Sequence, residues 1–382
     1  MRPENTTPGN TTPATEADAG PERRDVNNTR LIQREKTMMI SRRGSCFGLL
    51  AAAAATFVFA HATPATAQEK TVIRFASVGG ITDAPVHLAE ENGLFAKAGL
   101  QIQIQRMTNA PALLAGVATD QLDIAGISIT PGLFSSVQQG MQLRIVGDKQ
   151  SLRLGVSATR LVIRTDLSTG SEAGDMKVLK GKTIAVSAKA SSVYMLLERL
   201  LKKHGMTLSD VRVIELAYPN MLAALSSKAI DAAINLEPFM SQAMQAGVVK
   251  LTSDLSEFVP AEGGTIVPIV YSENFAQKTA VANAFMKAYT QGVRIYNDAF
   301  VKNIDREKVI EIIARRAKIS AKVVHESFPA GLDPNQRVSM DFLDDLQKFF
   351  VAQNFLRSTI DVKKVVDLSF ADAAVKDLGP YK

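Results

Sequence analysis

Residues 110–131 read APALLAGVATDQLDIAGISITP, and residues 219–239 read PNMLAALSSKAIDAAINLEPF. Each stretch places a proline at the start of an apolar helical segment, followed by a polar break, an aspartate and a short apolar strand. Asp123 in the first copy and Asp231 in the second lie 108 positions apart, and the other matching positions keep this spacing. Two copies are too few for a stacked repeat array, so they indicate two similar lobes.

The sequence around the two copies alternates short apolar runs with helical patterns from Thr71 onward, which is typical of βαβ units. The predicted fold class is therefore α/β with two lobes, each a mostly parallel sheet flanked by helices, and a helical C-terminal region. The segment 263–272 contains Pro268, which predicts an edge strand or an irregular segment. Beyond it the pattern predicts helices at about 279–300, 304–317, 321–329 and 338–351.

The domain boundaries follow from this order of elements. We expect the first part of lobe 1 at 68–155, lobe 2 at 156–262, and a return to lobe 1 with the C-terminal helices at 263–382. The chain then crosses between the lobes near 150–160 and 258–266. Two such connections permit the lobes to close around a ligand.

The N-terminal region has a different composition. Residues 1–37 are rich in polar residues and proline, so we interpret them as disordered or as an extension ahead of the true start. Residues 38–67 have the basic, apolar and small-residue parts of a secretory signal, with cleavage near Ala67. A membrane anchor is the alternative, but the apolar run is shorter than the roughly 20 residues that span a bilayer. Arg42 and Arg43 leave both Sec and twin-arginine export open.

Charge and rare residues exclude several function classes. The formal net charge is +6 without a basic run, which does not favour nucleic-acid binding. The single cysteine, Cys46, lies in the signal, so the exported protein has no catalytic thiol, disulfide or thiolate metal site. His87, His204 and His325 are widely separated, and no HExxH, GxSxG or phosphate-loop motif is present. We therefore predict no catalytic residue, no metal and no cofactor.

Polar or small residues follow most of the predicted strands, where open α/β sheets bind their ligands. Helix capping alone would explain any one of these loops, but five loops from two lobes favour a binding site. Ser191 and Ser192 begin a long helix and are the best candidates to donate hydrogen bonds to an anion. Asp123 and Asp231, in contrast, are expected to be structural, because a carboxylate before a strand usually accepts hydrogen bonds from turn N–H groups.

The segments APVHLAEENGLFAKAGLQIQI (84–104) and VSAKASSVYMLLERLLKKHGMTLSDVRVIEL (186–216), together with the copy at 219–239, resemble a known family. They are similar to the periplasmic substrate-binding proteins of ABC importers in the nitrate, sulfonate and taurine group, which includes thiamine-precursor binders. The resemblance covers roughly 71–300. It implies a type II-like periplasmic-binding-protein fold and a pocket at Gly79, Gly80, Thr82, Ser128, Ile129, Thr130, Lys189, Ser191, Ser192, Tyr218, Asn220 and Glu237.

The resemblance also implies a function. We expect a monomer in the periplasm that captures a small anionic sulfonate, carboxylate or oxyanion between its lobes and delivers it to an inner-membrane permease. Leu236 replaces the aromatic residue that many members have before the Glu-Pro pair, and the chain contains no tryptophan. A ligand that needs an aromatic cage is therefore less favoured. The cysteine-rich motif of the pyrimidine-synthesising relatives is also absent.

Two alternatives stay open from the sequence. An exported enzyme on the same scaffold, related to thiamine-pyrimidine precursor metabolism, would need a reactive group in the cleft, for which Lys189 and His87 are the starting points. A ligand-sensing domain would present the same closed form to a signalling partner instead of a permease.

Overall fold

The computed structural model describes residues 70–107 and 109–382, so the predicted signal and the residues before it lie outside the described part of the chain. The first of two five-stranded sheets contains β1 (Thr71–Ser77), β2 (Leu100–Arg106), β3 (Ile124–Gly126), β4 (Leu143–Leu152) and β10 (Gly264–Ser272). The second contains β5 (Thr159–Arg164), β6 (Thr183–Val186), β7 (Arg212–Glu215), β8 (Ala232–Leu236) and β9 (Val249–Asp254). We call the first sheet with its flanking helices lobe 1, and the second sheet with its flanking helices lobe 2.

The helices connect the strands and cover both sheets. They are α1 (Ala84–Glu91), α2 (Leu94–Lys97), α3 (Ala110–Ala118), α4 (Pro131–Gln138), α5 (Glu172–Val178), α6 (Ser192–Lys203), α7 (Tyr218–Ser226), α8 (Phe239–Gln245), α9 (Glu273–Gln277), α10 (Thr279–Val301), α11 (Arg306–Ala317), α12 (Ala321–Glu326), α13 (Met340–Ala352) and α14 (Ser369–Leu378). The four helices predicted after residue 272 correspond to α10 to α13, whereas α14 has no counterpart among the predictions. No helix of the described residues has both the length and the apolar character that crossing a bilayer requires.

The two sheets have the same topology. The strand order is β2-β1-β3-β10-β4 in the first sheet and β7-β6-β8-β5-β9 in the second. In each sheet the fourth strand is antiparallel to both of its neighbours, while the other pairs are parallel. That reversed strand is the one the chain enters on crossing from the other lobe. The predicted α/β fold with two mostly parallel sheets is confirmed, while the exact domain limits at 155 and 262 stay predictions.

The position of β10 corrects one prediction. Pro268 indicated an edge strand or an irregular segment, but β10 lies inside the sheet, between β3 and β4. The irregularity is real, because the register against β4 shifts between Val267 and Pro268. Proline has no N–H to donate, but its carbonyl oxygen still accepts a hydrogen bond from Ile127 N at 3.3 Å. An inner strand tolerates this proline because the shift in register accommodates the missing donor.

The helix α6 shows how the sequence pattern becomes core packing. Its apolar residues recur at helical spacing and are buried, while Lys202 and Lys203 lie in its last turn, where cations favour the helix dipole. Gly205 follows with φ +68°, a left-handed conformation that ends helices readily. The buried side chains of α6 share one apolar cluster with Phe134 of α4 and Phe350 of α13. One continuous core therefore contains residues of both lobes.

The repeated aspartates hold the two copies to their sheets. Asp123 accepts hydrogen bonds from the backbone N–H and the guanidinium of Arg74 in β1, at 2.7 to 2.9 Å. Asp231 accepts equivalent bonds from Thr183 N of β6 and from the guanidinium of Arg164, both at 2.9 Å. The predicted structural role is confirmed, although the donors belong to neighbouring strands instead of the turn itself.

Asp123→Ala is therefore expected to lower the free energy of unfolding by about 2 kcal/mol, because it removes charge-assisted hydrogen bonds and leaves Arg74 N without an acceptor. Chemical denaturation measures the change. Asp123→Asn keeps one acceptor oxygen and should lose about half as much. Equal stability of the alanine variant and the wild type would contradict a structural role for this carboxylate.

Candidate ligand-binding site

The parallel strands of both sheets end in loops that begin helices, and the predicted site residues lie there. In lobe 1 these loops follow β1 and β3, and in lobe 2 they follow β6, β7 and β8. The carboxyl ends of such strands are where open α/β sheets bind ligands. The topology therefore places the twelve residues at the carboxyl ends of strands in the two sheets.

The loop after β1 has the backbone geometry of a binding turn. Gly79 and Gly80 have φ +86° and +104°, which L side chains rarely adopt. Gly79 N donates to Ser77 Oγ at 3.0 Å. The N–H groups of Gly80, Ile81 and Thr82 have no acceptor among the described residues. Three neighbouring unpaired donors are therefore present in this loop.

The described helix starts differ in whether the N-cap side chain caps the helix. Ser or Asn side chains accept hydrogen bonds at the starts of α3, α5, α9, α12 and α13. Thr130 before α4 and Ser191 before α6 do not, and Ser191 Oγ instead donates to Ala188 O at 2.6 Å. Within residues 109–382, Gly132 N, Ser192 N and Val193 N have no acceptor, as is usual for the first N–H groups of a helix. Side-chain capping is therefore not the role of Thr130 and Ser191 at these two helix starts.

The remaining residues of these loops differ in exposure. Ile129 is fully buried in the apolar core, and its N–H is bonded to Ile266 O, so its side chain does not reach solvent. Ser128 is partly buried. Lys189 and Asn220 are exposed, and Lys189 N donates to Glu215 Oε1 at 2.6 Å.

Tyr218 joins the loops of lobe 2. Its hydroxyl accepts a hydrogen bond from Ser187 Oγ at 3.0 Å, and its ring is parallel to that of Phe239 with the centroids 6.4 Å apart. The ring also packs against apolar clusters of both lobes. Tyr218 therefore lies between the lobes and offers an aromatic surface there.

The carboxylate of Glu237 is buried and is hydrogen-bonded by other residues of the protein. It is fully buried, and its carboxylate accepts hydrogen bonds from Ser241 N, Ser241 Oγ and Phe328 N, at 2.9 to 3.1 Å. Burial raises the pKa of Glu237, against the lowering effect of these donors. The carboxylate thus connects the start of α8 to the chain segment after α12. Its predicted ligand contact stays a prediction.

The predicted loops of the two lobes touch each other. A Cβ built on Gly80 would lie 3.7 Å from the carbonyl oxygen of Glu237. Leu236, which replaces the family's aromatic residue, is 6% exposed and packs in the lobe 1 apolar cluster that contains Ile81. The lobes are therefore in contact at the predicted binding loops.

Two cationic residues near the glycine loop were not among the predicted site residues. Arg106 ends β2 opposite Ser77 in β1, and its Nε would lie 3.3 Å from a Cβ on Gly79. Lys149 of β4 is 2% exposed and pairs with Asp83 at 2.7 Å. The alternating pattern that ends in Arg106 could have indicated a cation at the sheet edge. No local signal identifies Lys149, because its partner lies 66 positions earlier.

A cavity with a volume of about 520 Å³ lies elsewhere. It opens beside the lobe connections and is lined by residues such as Arg153, Thr265, Asp333 and Arg337. None of the twelve predicted residues lines it. In the described ranges, no three His, Cys, Asp or Glu side chains are grouped closely enough to hold a metal ion.

The model of the NMT1-like family matches residues 66–314. The chain belongs to this family. A relative named as a binding protein, from Brucella abortus (strain 2308), is 31% identical over 175 residues, which are 45% of this chain and 50% of that protein. The chain thus spans about half the length of the curated relatives it matches. Membership in the NMT1-like family confirms the family resemblance stated from the sequence.

Solved structures with the same fold include a binding protein and an enzyme. The alkanesulfonate-binding protein SsuA from Xanthomonas axonopodis pv. citri, bound to MOPS, is 22% identical, with a TM-score of 0.61 over 78% of this chain and 99% of that chain. The desulfurization enzyme DSZB is 16% identical, with a TM-score of 0.58 over 80% of this chain and 99% of that chain. The fold of this NMT1-like chain is therefore shared by a sulfonate-binding protein and an enzyme.

Proposed function

We propose that this protein is the periplasmic solute-binding component of an ABC importer and captures a small organic anion or oxyanion between its lobes. The observation that carries the proposal is the set of unpaired N–H groups at the loops after β1, β3 and β6, from both lobes. Helix starts and loops of this kind favour anions, because their N–H groups and the helix dipole present partial positive charge. Family membership supports the same function.

The contact between the loops implies a motion. Because Leu236 of lobe 2 already packs in the apolar cluster of lobe 1 that contains Ile81, a solute enters when the lobes separate and is enclosed when they meet again. A ligand that contacts both lobes stabilises the closed form by its differential affinity for that form. The closed form is what an inner-membrane permease would recognise, and the protein acts as a monomer exported to the periplasm.

The test is a thermal-shift and calorimetric panel on protein that has been unfolded and refolded to remove copurified solute. Alkanesulfonates, carboxylates, nitrate and pyrimidines are compared, each organic anion with a neutral analogue such as the matching sulfonamide. An anion should stabilise the protein by about 2.7 kcal/mol at a hundredfold excess over Kd. Equal effects of a sulfonate and its sulfonamide would overturn the choice of an anion, and no effect of any class would overturn binding itself.

Ser192→Pro is expected to weaken anion binding by about tenfold or more while leaving the stability of the protein nearly unchanged. Proline is tolerated at the first helical position, and Ser191 has the extended conformation that a following proline requires. The substitution removes one unpaired N–H, and a hydrogen bond to a charged group contributes roughly 1.5–3 kcal/mol.

Two controls accompany this variant. Ser192→Ala removes the hydroxyl but keeps the N–H, which separates the two donors. Ala321→Pro makes the same backbone change at the exposed first residue of α12, after the extended Ser320. Calorimetric titration gives the affinities. If Ser192→Pro binds as tightly as Ala321→Pro, the N-terminus of α6 does not hold the ligand.

We also propose that the protein binds its solute without converting it. His87 is 8% exposed, burial lowers its pKa to about 4, and its Nδ1 accepts a hydrogen bond from Arg316 Nε at 3.3 Å. Lys189, the other starting point for catalysis, is exposed at the loop. Mass spectrometry should recover the bound solute unchanged after prolonged incubation. A product peak or a covalent adduct would favour an enzyme instead.

A further inference from the structure

The buried side chain of Lys149 crosses lobe 1 beneath the proposed site. Lys149 lies in β4, and Gly126 lies in β3, with β10 between these two strands. A Cβ on Gly126 would lie 2.6 Å from Lys149 Cε and even nearer to Cδ, so the glycine leaves room for the lysine chain. The absence of a side chain at this position lets a cation from one strand reach the loop at the end of another.

The ammonium group of Lys149 lies beside Thr82 and Asp83, which follow the two glycines of the loop. Lys149 Nζ contacts Asp83 Oδ1 at 2.7 Å and donates to Thr82 Oγ1 at 3.0 Å. Asp83 Oδ2 accepts from Ser77 Oγ at 2.7 Å, and Ser77 Oγ accepts from Gly79 N at 3.0 Å. A continuous polar chain therefore runs from Lys149 to the backbone of the loop that carries the unpaired donors.

Asp83 and Lys149 form a buried ion pair, so their energetics differ from those of a surface ion pair. Asp83 and Lys149 are each about 98% buried, so both charges lose their hydration and depend on each other. Burial alone would raise the pKa of Asp83, but Lys149 and Ser77 lower it below its usual value. Apolar residues of similar volume commonly replace a buried ion pair without loss of stability, so stability alone does not require this pair.

The geometry points to Lys149 as a positioning residue for ligand binding: through Asp83 and Ser77 it holds the Gly79–Thr82 loop in the conformation that presents its N–H groups to the solute. This inference rests on the proposed function. Lys149 itself is covered by the loop, so it acts through these partners and not by contact with the ligand. Its position three residues before the end of β4 also ties the loop to the strand that leads into lobe 2.

The test separates positioning from stability. Lys149→Met alone should lower the melting temperature clearly, because it leaves the Asp83 carboxylate buried without its partner. The double variant Asp83→Leu/Lys149→Met should regain most of that melting temperature, since no unpaired charge remains. Its affinity for the anion that the wild type binds should nevertheless stay at least tenfold weaker, because the loop has lost its polar chain. Wild-type affinity in a folded double variant would overturn the inference.

A second variant keeps the test decisive if the double variant does not fold. Ser77→Ala removes only the hydroxyl that links Asp83 to Gly79 N, and Ser77 is fully buried in this form. We expect threefold to tenfold weaker binding, whereas unchanged binding would refute the positioning role. Ser135→Ala is the matched control, because Ser135 of α4 takes no part in the polar chain from Lys149 to Gly79. If the wild type binds no member of the solute panel, the proposed function fails before these variants are compared.

Discussion

Gly292→Ala is expected to lower the free energy of unfolding by about 2–3 kcal/mol, although alanine is the better helix former. Gly292 lies in the middle of α10, and a Cβ there would fall well inside the contact distance of the Pro85 carbonyl oxygen and 3.1 Å from Ala89 Cβ. Both contacts belong to α1, and a backbone oxygen cannot rotate away as a long side chain can. Overpacking costs about 1–3 kcal/mol and occasionally more, and a clash with a backbone atom belongs at or above the upper end of that range, so it outweighs the roughly 1 kcal/mol gained in helix propensity.

Denaturant titration of the variant measures this effect, and a helical glycine with room around it provides the control. A Cβ on Gly132 in α4 would meet only Thr130 Oγ1, at 3.5 Å, which is ordinary contact. Gly132→Ala should therefore be neutral or slightly stabilising. If Gly292→Ala is as stable as Gly132→Ala, then α1 and α10 are not as closely packed as the structure has them.

The two-lobed fold is predictable because the same helix–aspartate–strand pattern occurs twice in the sequence. The units around Asp123 and Asp231 each add an inner strand beside a parallel partner, and equal topologies follow from equal units. The place of the strand with Pro268 was not predictable in the same way. Which strand lies inside a sheet depends on where the chain returns from the second lobe, and the residues of 263–272 do not encode that return locally.

The candidate site likewise contains features that are local in the sequence and features that depend on long-range packing. Strand ends and helix starts are local features, so the loops that contain Gly80 and Ser192 could be named from the sequence. The hydroxyl of Ser191 could cap a helix or turn away, and only packing decides between these. Lys149 and Asp83 form a pair across three strands, which depends on the register of the sheet. Long-range pairs of this kind carry no sequence spacing from which to infer them.

The second large effect concerns Asp148, whose buried carboxyl group lies at the lobe connections. Asp148 is fully buried in β4, and its Oδ2 accepts from Asp333 N at 2.8 Å and Ser151 Oγ at 3.1 Å. Its Oδ1 has no hydrogen-bond partner within the described residues. Burial raises the pKa of Asp148 to about 7, and the nearby Asp333 carboxylate adds to the increase, while its hydrogen bonds and Arg153 oppose it. The native protein therefore keeps a proton on Asp148 that the unfolded chain loses near pH 4.

The sign of the stability change follows from this proton. Between about pH 4 and pH 7 the native state binds one proton more than the unfolded state at this position, so the free energy of unfolding falls as the pH rises. Relative to Asp148→Asn, which cannot ionise, the wild type should lose on the order of 4 kcal/mol across that range. Denaturant unfolding of both proteins at several pH values isolates this group, because the other titrating residues contribute equally to each. A difference between the two proteins that stays constant from pH 4 to pH 8 would show that Asp148 is already ionised in the folded protein, and that the lobe connections accommodate its charge.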